Sequence, residues 1–260
     1  MASGDIGPVL GTGIFDAVTG NEPSVVHIFG DVYAVAYRGQ GNHGWLRTLT
    51  ISGDGTTIAL TGSSLEFDGV SGYSPSLIHV SGDTYVIAYW NATSDDGIVK
   101  TVSIDAAGNI GSIHSFTFDA TRGRTPEIIH ISGDVYAVAY RGPLDDGWLR
   151  TLTISADGTA IALTGSSLEF DIGYASDPHL THVSGNVYAI AYEISAASFD
   201  VKICTMTISN AGVIGGAVID VYQFSAPPSQ AKRAKILHIA NTVFAIVAQE
   251  NATKDGWVVT

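Results

Sequence analysis

One phrase recurs five times along this chain, and it constrains the fold more than any other feature. The copies are His27-Ile-Phe-Gly-Asp-Val-Tyr-Ala-Val-Ala-Tyr37, His79-Val-Ser-Gly-Asp-Thr-Tyr-Val-Ile-Ala-Tyr89, His130-Ile-Ser-Gly-Asp-Val-Tyr-Ala-Val-Ala-Tyr140, His182-Val-Ser-Gly-Asn-Val-Tyr-Ala-Ile-Ala-Tyr192 and a divergent fifth, His238-Ile-Ala-Asn-Thr-Val-Phe-Ala-Ile-Val-Ala248. Successive histidines lie 52, 51, 52 and 56 residues apart, and continuing from His238 through Thr260 round to His27 gives 49. A period of this size marks stacked supersecondary units that bury their apolar faces on one another. Five nearly equal steps that close on themselves predict a ring.

Each repeat reads as four strands. In the third copy strand a is Glu127–Ile131, strand b Val135–Tyr140, strand c Trp148–Ile154 and strand d Thr159–Phe170. Ser-Gly-Asp and Asp-Gly units separate a from b and c from d; Gly, Asn and Asp tolerate positive φ and mark tight hairpins. Strands a and b are apolar on both faces, as strands buried between sheets must be. The alanines in Tyr-Ala-Val-Ala-Tyr suit a narrow inner zone where sheets converge. The expected fold is all-β, a five-bladed β-propeller of four-stranded antiparallel blades forming one domain over residues 1–260. The repeats run over about 17–68, 69–119, 120–171, 172–224 and 225–260, the last completed by residues 4–16. That completion is expected because Ile6–Asp16 resembles the end of a strand d, as in Leu163–Asp171, whereas Trp257–Thr260 reads as a strand c. A closed monomeric ring follows, with no free sheet edge. Copies one and three match at all but seven of 42 positions, which points to a duplication of two blades.

Composition narrows the partners. The net charge of −13 repels phosphate backbones, so nucleic acid is not an expected partner. No apolar run reaches the roughly 18 residues of a membrane span. Met1–Asp5 has neither the basic nor the apolar stretch of a signal peptide, and the chain is expected to be a mature or excised extracellular or cell-surface module. The single cysteine, Cys204, reads as a buried small hydrophobe. Asn91-Ala-Thr and Asn251-Ala-Thr fit the N-glycosylation pattern.

Candidate site residues fall on the face carrying the long, varied d-to-a and b-to-c loops, since binding groups concentrate on loops held by a rigid scaffold. The residue that ends strand b is Arg38, Trp90, Arg141, Glu193 or Gln249, copy by copy. Tyr73 and Tyr174 lie in d-to-a loops, and Trp45, Trp148 and Trp257 open strand c. Arginine and aromatic rings suit sugars and carboxylates. The tryptophans equally suit packing between blades, because Ile98 and Val201 replace them elsewhere. The five histidines are expected to be buried, hydrogen-bonded structural residues rather than metal ligands. Asp95-Asp96 and Asp145-Asp146 lack the spacing of a calcium loop and read as turn residues. No metal or cofactor is expected.

No hydrolase elbow, zinc helix or phosphate loop is present. The strands nearest the axis read as the same apolar residues in every copy, which argues against the asymmetric cluster catalysis needs. In blade number and repeat length the chain resembles the tachylectin-2 type of five-bladed lectin; the resemblance implies a carbohydrate ligand and transfers no binding residue. The expected function is therefore a non-catalytic ligand-binding module, lectin-like with several similar sites. The alternative is a structural or protein-interaction module of a larger surface protein, and a five-bladed glycosidase or lyase comes third.

Overall fold

The computed structural model of the protein describes residues 7–194, 200–224, 231–241, 243–250 and 256–260. Five antiparallel sheets follow the repeats. Blade one holds β1 (Asn21–Phe29), β2 (Val32–Arg38), β3 (Gly44–Ile51) and β4 (Ile58–Asp68); blade two holds β5 (Tyr73–Ser81), β6 (Thr84–Asn91), β7 (Asp96–Ile104) and β8 (Ile110–Asp119). Blade three holds β9 (Arg124–Ser132), β10 (Val135–Arg141), β11 (Gly147–Ile154) and β12 (Ile161–Asp171); blade four holds β13 (Ala175–Ser184), β14 (Val187–Ile194), β15 (Asp200–Thr207) and β16 (Asp220–Phe224). Blade five has three strands, β17 (Ala231–Ala240), β18 (Val243–Glu250) and β19 (Gly256–Val259). The helical content is two short 3₁₀ turns, Gln40–Asn42 and Pro143–Asp145, so among the described residues no helix is long and apolar enough to cross a membrane.

The a-to-b turns obey their chemistry. Gly30, Gly82, Gly133 and Gly185 adopt φ of +52 to +54°, and in blade five Asn241 takes the same left-handed conformation at +54°. Asparagine is among the few other residues that tolerate it.

Apolar clusters lie between blades rather than within them. One joins Ala34, Ala36 and Leu46 to Leu77, Tyr85 and Ile87; equivalent clusters join blades two and three, three and four, and four and five. At the inner end the alanines of the second strands are fully buried, which lets neighbouring sheets approach closely. A polar latch recurs at the outer edge. The Phe118-Asp119 pair ending β8 packs its ring edge-on to Tyr140 at 5.1 Å and accepts the Tyr140 hydroxyl on Asp119 Oδ2 at 2.8 Å. Arg150 then lies 3.2 Å from the same carboxylate. Asp171, Tyr192 and Lys202 repeat the arrangement between blades three and four.

The N-terminal segment makes this latch for blade one. Phe15 meets Tyr37 at 5.0 Å, Asp16 accepts the Tyr37 hydroxyl at 2.7 Å, and Arg47 lies 3.6 Å from Asp16. Residues 7–20 thus stand against blade one as the end of a strand d does, but they form no strand, and no ladder between them and β19 is among the described pairings.

The histidines depart from expectation. His27, His79, His130 and His182 are exposed, not buried. Each stacks on the aromatic opposite it, Tyr33, Tyr85, Tyr136 or Tyr188, and its Nε2 meets a turn carbonyl in its own hairpin at 2.8 or 2.9 Å. They clip the hairpin rather than tie blade to blade. That tie is made by threonines of the third strands: Thr48, Thr101 and Thr151, all fully buried, donate to the carbonyls of Gly108, Gly158 and Gly212 of the next blade at 2.7, 2.7 and 2.5 Å. Replacing Thr101 by Val leaves the Gly158 carbonyl buried without its donor, a loss of about 1–3 kcal/mol. Urea unfolding of T101V is expected to show it, with T153V, altered on an exposed hydroxyl, remaining within about 0.5 kcal/mol of the parent.

Candidate functional site

The site is built by a break in the innermost strands. The residues five before each repeat histidine are Glu22, Ser74, Thr125, Asp177 and Arg233, and four of them precede proline: Pro23, Pro75, Pro126 and Pro178. Proline has no N–H to give the ladder and is confined to bulges and edges. The pairing duly skips here, between Asn21 and Ser24, Tyr73 and Ser76, Ser176 and His179, and Lys232 and Lys235. Glu22, Ser74, Thr125, Asp177 and Arg233 all take left-handed backbone, with φ between +45 and +54°. None is glycine, so each conformation costs on the order of 1–3 kcal/mol, a strain that characteristically gathers at binding and active sites.

The bulges push these five side chains towards a funnel of about 1020 Å³, lined by the beginnings of β1, β5, β9, β13 and β17. A second layer two residues on comprises Ser24, Ser76, Glu127, His179 and Lys235. Three members of that layer tie blade to blade: Ser24 accepts the Leu77 N–H at 3.0 Å, Ser76 the Ile128 N–H at 3.3 Å and His179 Nδ1 the Ile236 N–H at 3.2 Å. Glu127 does otherwise. Its Oε2 meets Lys235 Nζ at 3.2 Å, spanning from blade three to blade five, and its Oε1 lies 3.4 Å from His179 Nε2. Because Nδ1 of His179 accepts a backbone N–H, Nε2 carries the ring proton and faces Glu127.

The electrostatics are uneven around the ring. Burial pushes the Glu127 carboxyl up, and Lys235 only partly opposes it because the ammonium is half exposed. Burial pushes Asp177 up too, against Arg141, Arg233 and Lys235. Glu22 is instead engaged as a carboxylate, accepting Arg38 Nε at 3.2 Å, Arg38 Nη2 at 3.3 Å and the Ser74 N–H at 2.9 Å. His179 is lowered to about 4 by burial and then by Lys235.

The sequence candidates divide. Arg38, Tyr73 and Trp90 line the funnel. The Arg38 guanidinium lies 4.2 Å from the Tyr73 ring centroid, and the Tyr73 and Trp90 rings are 5.1 Å apart. Arg141 stacks on Tyr174 at 5.2 Å and donates to its hydroxyl at 2.9 Å, forming a second rim pair outside the funnel lining. Glu193 is buried and accepts the Arg233 N–H, fixing the fifth bulge. Gln249 is paired in the sheet opposite Lys232 and Gly256. Trp148 packs into the apolar cluster between blades two and three and Trp45 into the cluster of blade one that also holds Phe15, beside Gly142 and Gly39, where a Cβ would collide with the indole. Trp257 lies on β19 opposite Ala248, its side chain outside the described residues, as are Asn251 and its loop. Asn91 caps its own turn and donates to Asp68 at 3.0 Å. Among the described residues no cluster of metal-ligating side chains occurs. Asp95 and Asp145 pair with Arg122, and Asp95 also with Arg124.

No family model matches this chain, and no curated protein matches it by sequence. Solved structures share its fold. A protein of unknown function from Dyadobacter fermentans superposes with a TM-score of 0.57 at 11% identity, over 88% of this chain and 74% of the other. An endo-1,4-β-xylanase from Bacteroides thetaiotaomicron gives 0.54 at 10% identity, over 93% and 90%. A GH43_1 enzyme from Xanthomonas citri gives 0.52 at 10% identity, over 93% and 87%. The likeness is one of fold. It nevertheless overturns the expectation of a non-catalytic lectin-like or structural module, because that expectation took the architecture itself as evidence against catalysis. The second premise falls as well. The innermost strands repeat apolar residues only from the histidine phrase onward, and ahead of it they place unlike carboxyl, hydroxyl and cationic groups round one axis.

The depressed His179 gives a pH signature. Between about 4 and its ordinary 6.5 the unfolded chain binds a proton there that the folded chain does not, so stability rises with pH across that window and is lost as pH falls. H179Q is expected to flatten this limb, removing about 2–3 kcal/mol of pH dependence; urea midpoints at pH 4, 5, 6 and 7 check it, and parallel wild-type and variant curves would refute it.

Proposed function

We propose that the chain acts on carbohydrate and hydrolyses a glycosidic bond in the axial funnel. The observation that carries this reading is the pair of carboxyl groups held in opposite manners at one mouth: Glu127, kept towards its protonated form by burial, and Glu22, engaged as a carboxylate by Arg38. A carboxyl raised by burial beside one bound by a guanidinium can divide acid and base roles with it. Glu127 would give its proton to the leaving glycosidic oxygen as the anomeric C–O bond breaks. Water would add to the anomeric carbon, and its proton would pass to Glu22. His179 would hold the Glu127 carboxyl from behind, and Lys235 would stabilise the carboxylate left after proton transfer.

Tyr73 and Trp90 supply the surface on which a sugar ring would stack, beside the carboxyls and within the same funnel. The names of the xylanase and the GH43_1 enzyme agree with this class of substrate. The reading brings a carbohydrate partner at or outside the cell surface and a monomeric ring.

Reducing-sugar release from xylo-, arabino- and galacto-oligosaccharides is the direct assay. With a turned-over substrate in hand, E127Q is expected to lower kcat by about 10²–10⁴-fold with little change in KM. Y73A is expected to act mainly on KM. Absence of release from the whole panel, or an E127Q variant of undiminished kcat, would sink the proposal.

A further inference from the structure

We infer that the funnel receives a carboxylate-bearing saccharide, a uronic acid unit, whose carboxylate is bound by Arg233. The inference rests on the carbohydrate reading above and specifies its substrate.

The charge bookkeeping of the chain singles this residue out. The sequence has seven arginines against an excess of acidic residues. Arg38, Arg47, Arg122, Arg124, Arg141 and Arg150 each lie within 4.0 Å of a carboxylate. Arg233 alone has no such partner among the described residues, although 25 acidic side chains are available in the chain. Its position is not that of a stray surface group. It occupies the left-handed bulge of blade five at φ +54°, its N–H is pinned by the buried Glu193, and it lines the same funnel as Glu22 and Glu127.

Neither nearby carboxyl forms an ion pair with it. Asp177, the next residue round the ring, interacts with Arg233 only through space, and Glu127 is engaged by Lys235. An anion entering here meets an uncommitted guanidinium. That group is planar and presents parallel N–H donors matched to the two oxygens of a carboxylate, which a lysine or a hydroxyl cannot reproduce. The net charge of −13 sets a further condition. It repels long polyanions at a distance, so attraction is confined to the mouth and favours a short or terminal uronate.

The test compares binding of trigalacturonate, its methyl ester and neutral galactotriose by calorimetry at 50 and 500 mM salt. The acid is expected to bind at least tenfold more tightly than the ester or the neutral sugar, and the preference is expected to shrink at high salt. R233Q, which carries the same left-handed backbone cost, is expected to remove the preference; R233K, which keeps charge without the fork, should restore part of it. The methyl ester arm needs no variant and stands even if R233Q fails to fold. Equal binding of acid, ester and neutral sugar, or a preference that survives in folded R233Q, overturns the inference and leaves the carbohydrate reading in place. No binding of any of the three overturns the inference, and the carbohydrate reading is then decided by the xylo-, arabino- and galacto-oligosaccharide panel.

Discussion

Blade-on-blade burial through small residues is the constraint on which everything else rests. At the inner end of blades one to four the second strand carries alanine on the face turned to its neighbour: Ala34, Ala36, Ala88, Ala137, Ala139, Ala189 and Ala191 are fully buried. A larger side chain there would hold the sheets apart, and overpacking of this kind costs about 1–3 kcal/mol per site. Close approach brings five strand beginnings round one axis with a gap the size of a small ligand between them. The threonine ties and the Phe-Asp latches lie outside this zone and set the angle between blades. The width of the funnel and the stability of the ring are thus consequences of one packing requirement.

The funnel is chemically useful because the ladder breaks where the strands enter it. In an unbroken strand alternate side chains would point into the blade interfaces, where the same apolar residues recur for packing. The X-Pro bulge frees two residues from that alternation, and the freed positions are the ones that differ from blade to blade. Glu22, Ser74, Thr125, Asp177 and Arg233 share a backbone conformation but spread over three chemistries, carboxyl, hydroxyl and guanidinium. Symmetry of scaffold and asymmetry of site are therefore compatible in one repeat, separated by three residues along the strand.

This separation explains what could be read from the sequence. The repeat phrase, the Gly-Asp turns and the alanine pattern are enough to derive five four-stranded blades, because they express packing and turn demands that every copy must meet. The histidines share a strand face with the buried Ile128 and its equivalents but stand one step nearer the a-to-b turn, where that face opens to solvent. The funnel residues are not legible in the shared phrase, because the site consists of what the copies do not have in common. Its signal was present: a proline at a fixed offset before four of five histidines, preceded by a different polar residue each time. Arg38, Tyr73 and Trp90 were legible as strand-end and loop residues, but their convergence with Glu22 depends on two adjacent blades and cannot be derived within one repeat.

The five joints of the ring are not equivalent. Val25 of blade one is 65% exposed, whereas its counterparts Leu77, Ile128, Leu180 and Ile236 are 1–4% exposed. On the other side Val247 is 49% exposed where the other four blades bury alanine completely. Fully burying one such valine contributes about 1.5 kcal/mol, so these two partly exposed valines forgo roughly 2 kcal/mol at the joint between blades five and one. Valine in place of alanine at residue 247 accounts for part of this, since it sets the sheets further apart at the inner end. The latch of Phe15 and Asp16 on Tyr37 and Arg47 braces the blade-one side of this joint. It does so from a segment that precedes the first strand, and the funnel residues nearest the joint, Glu22 on one side and Arg233 on the other, are those whose separation would respond first to any loosening there.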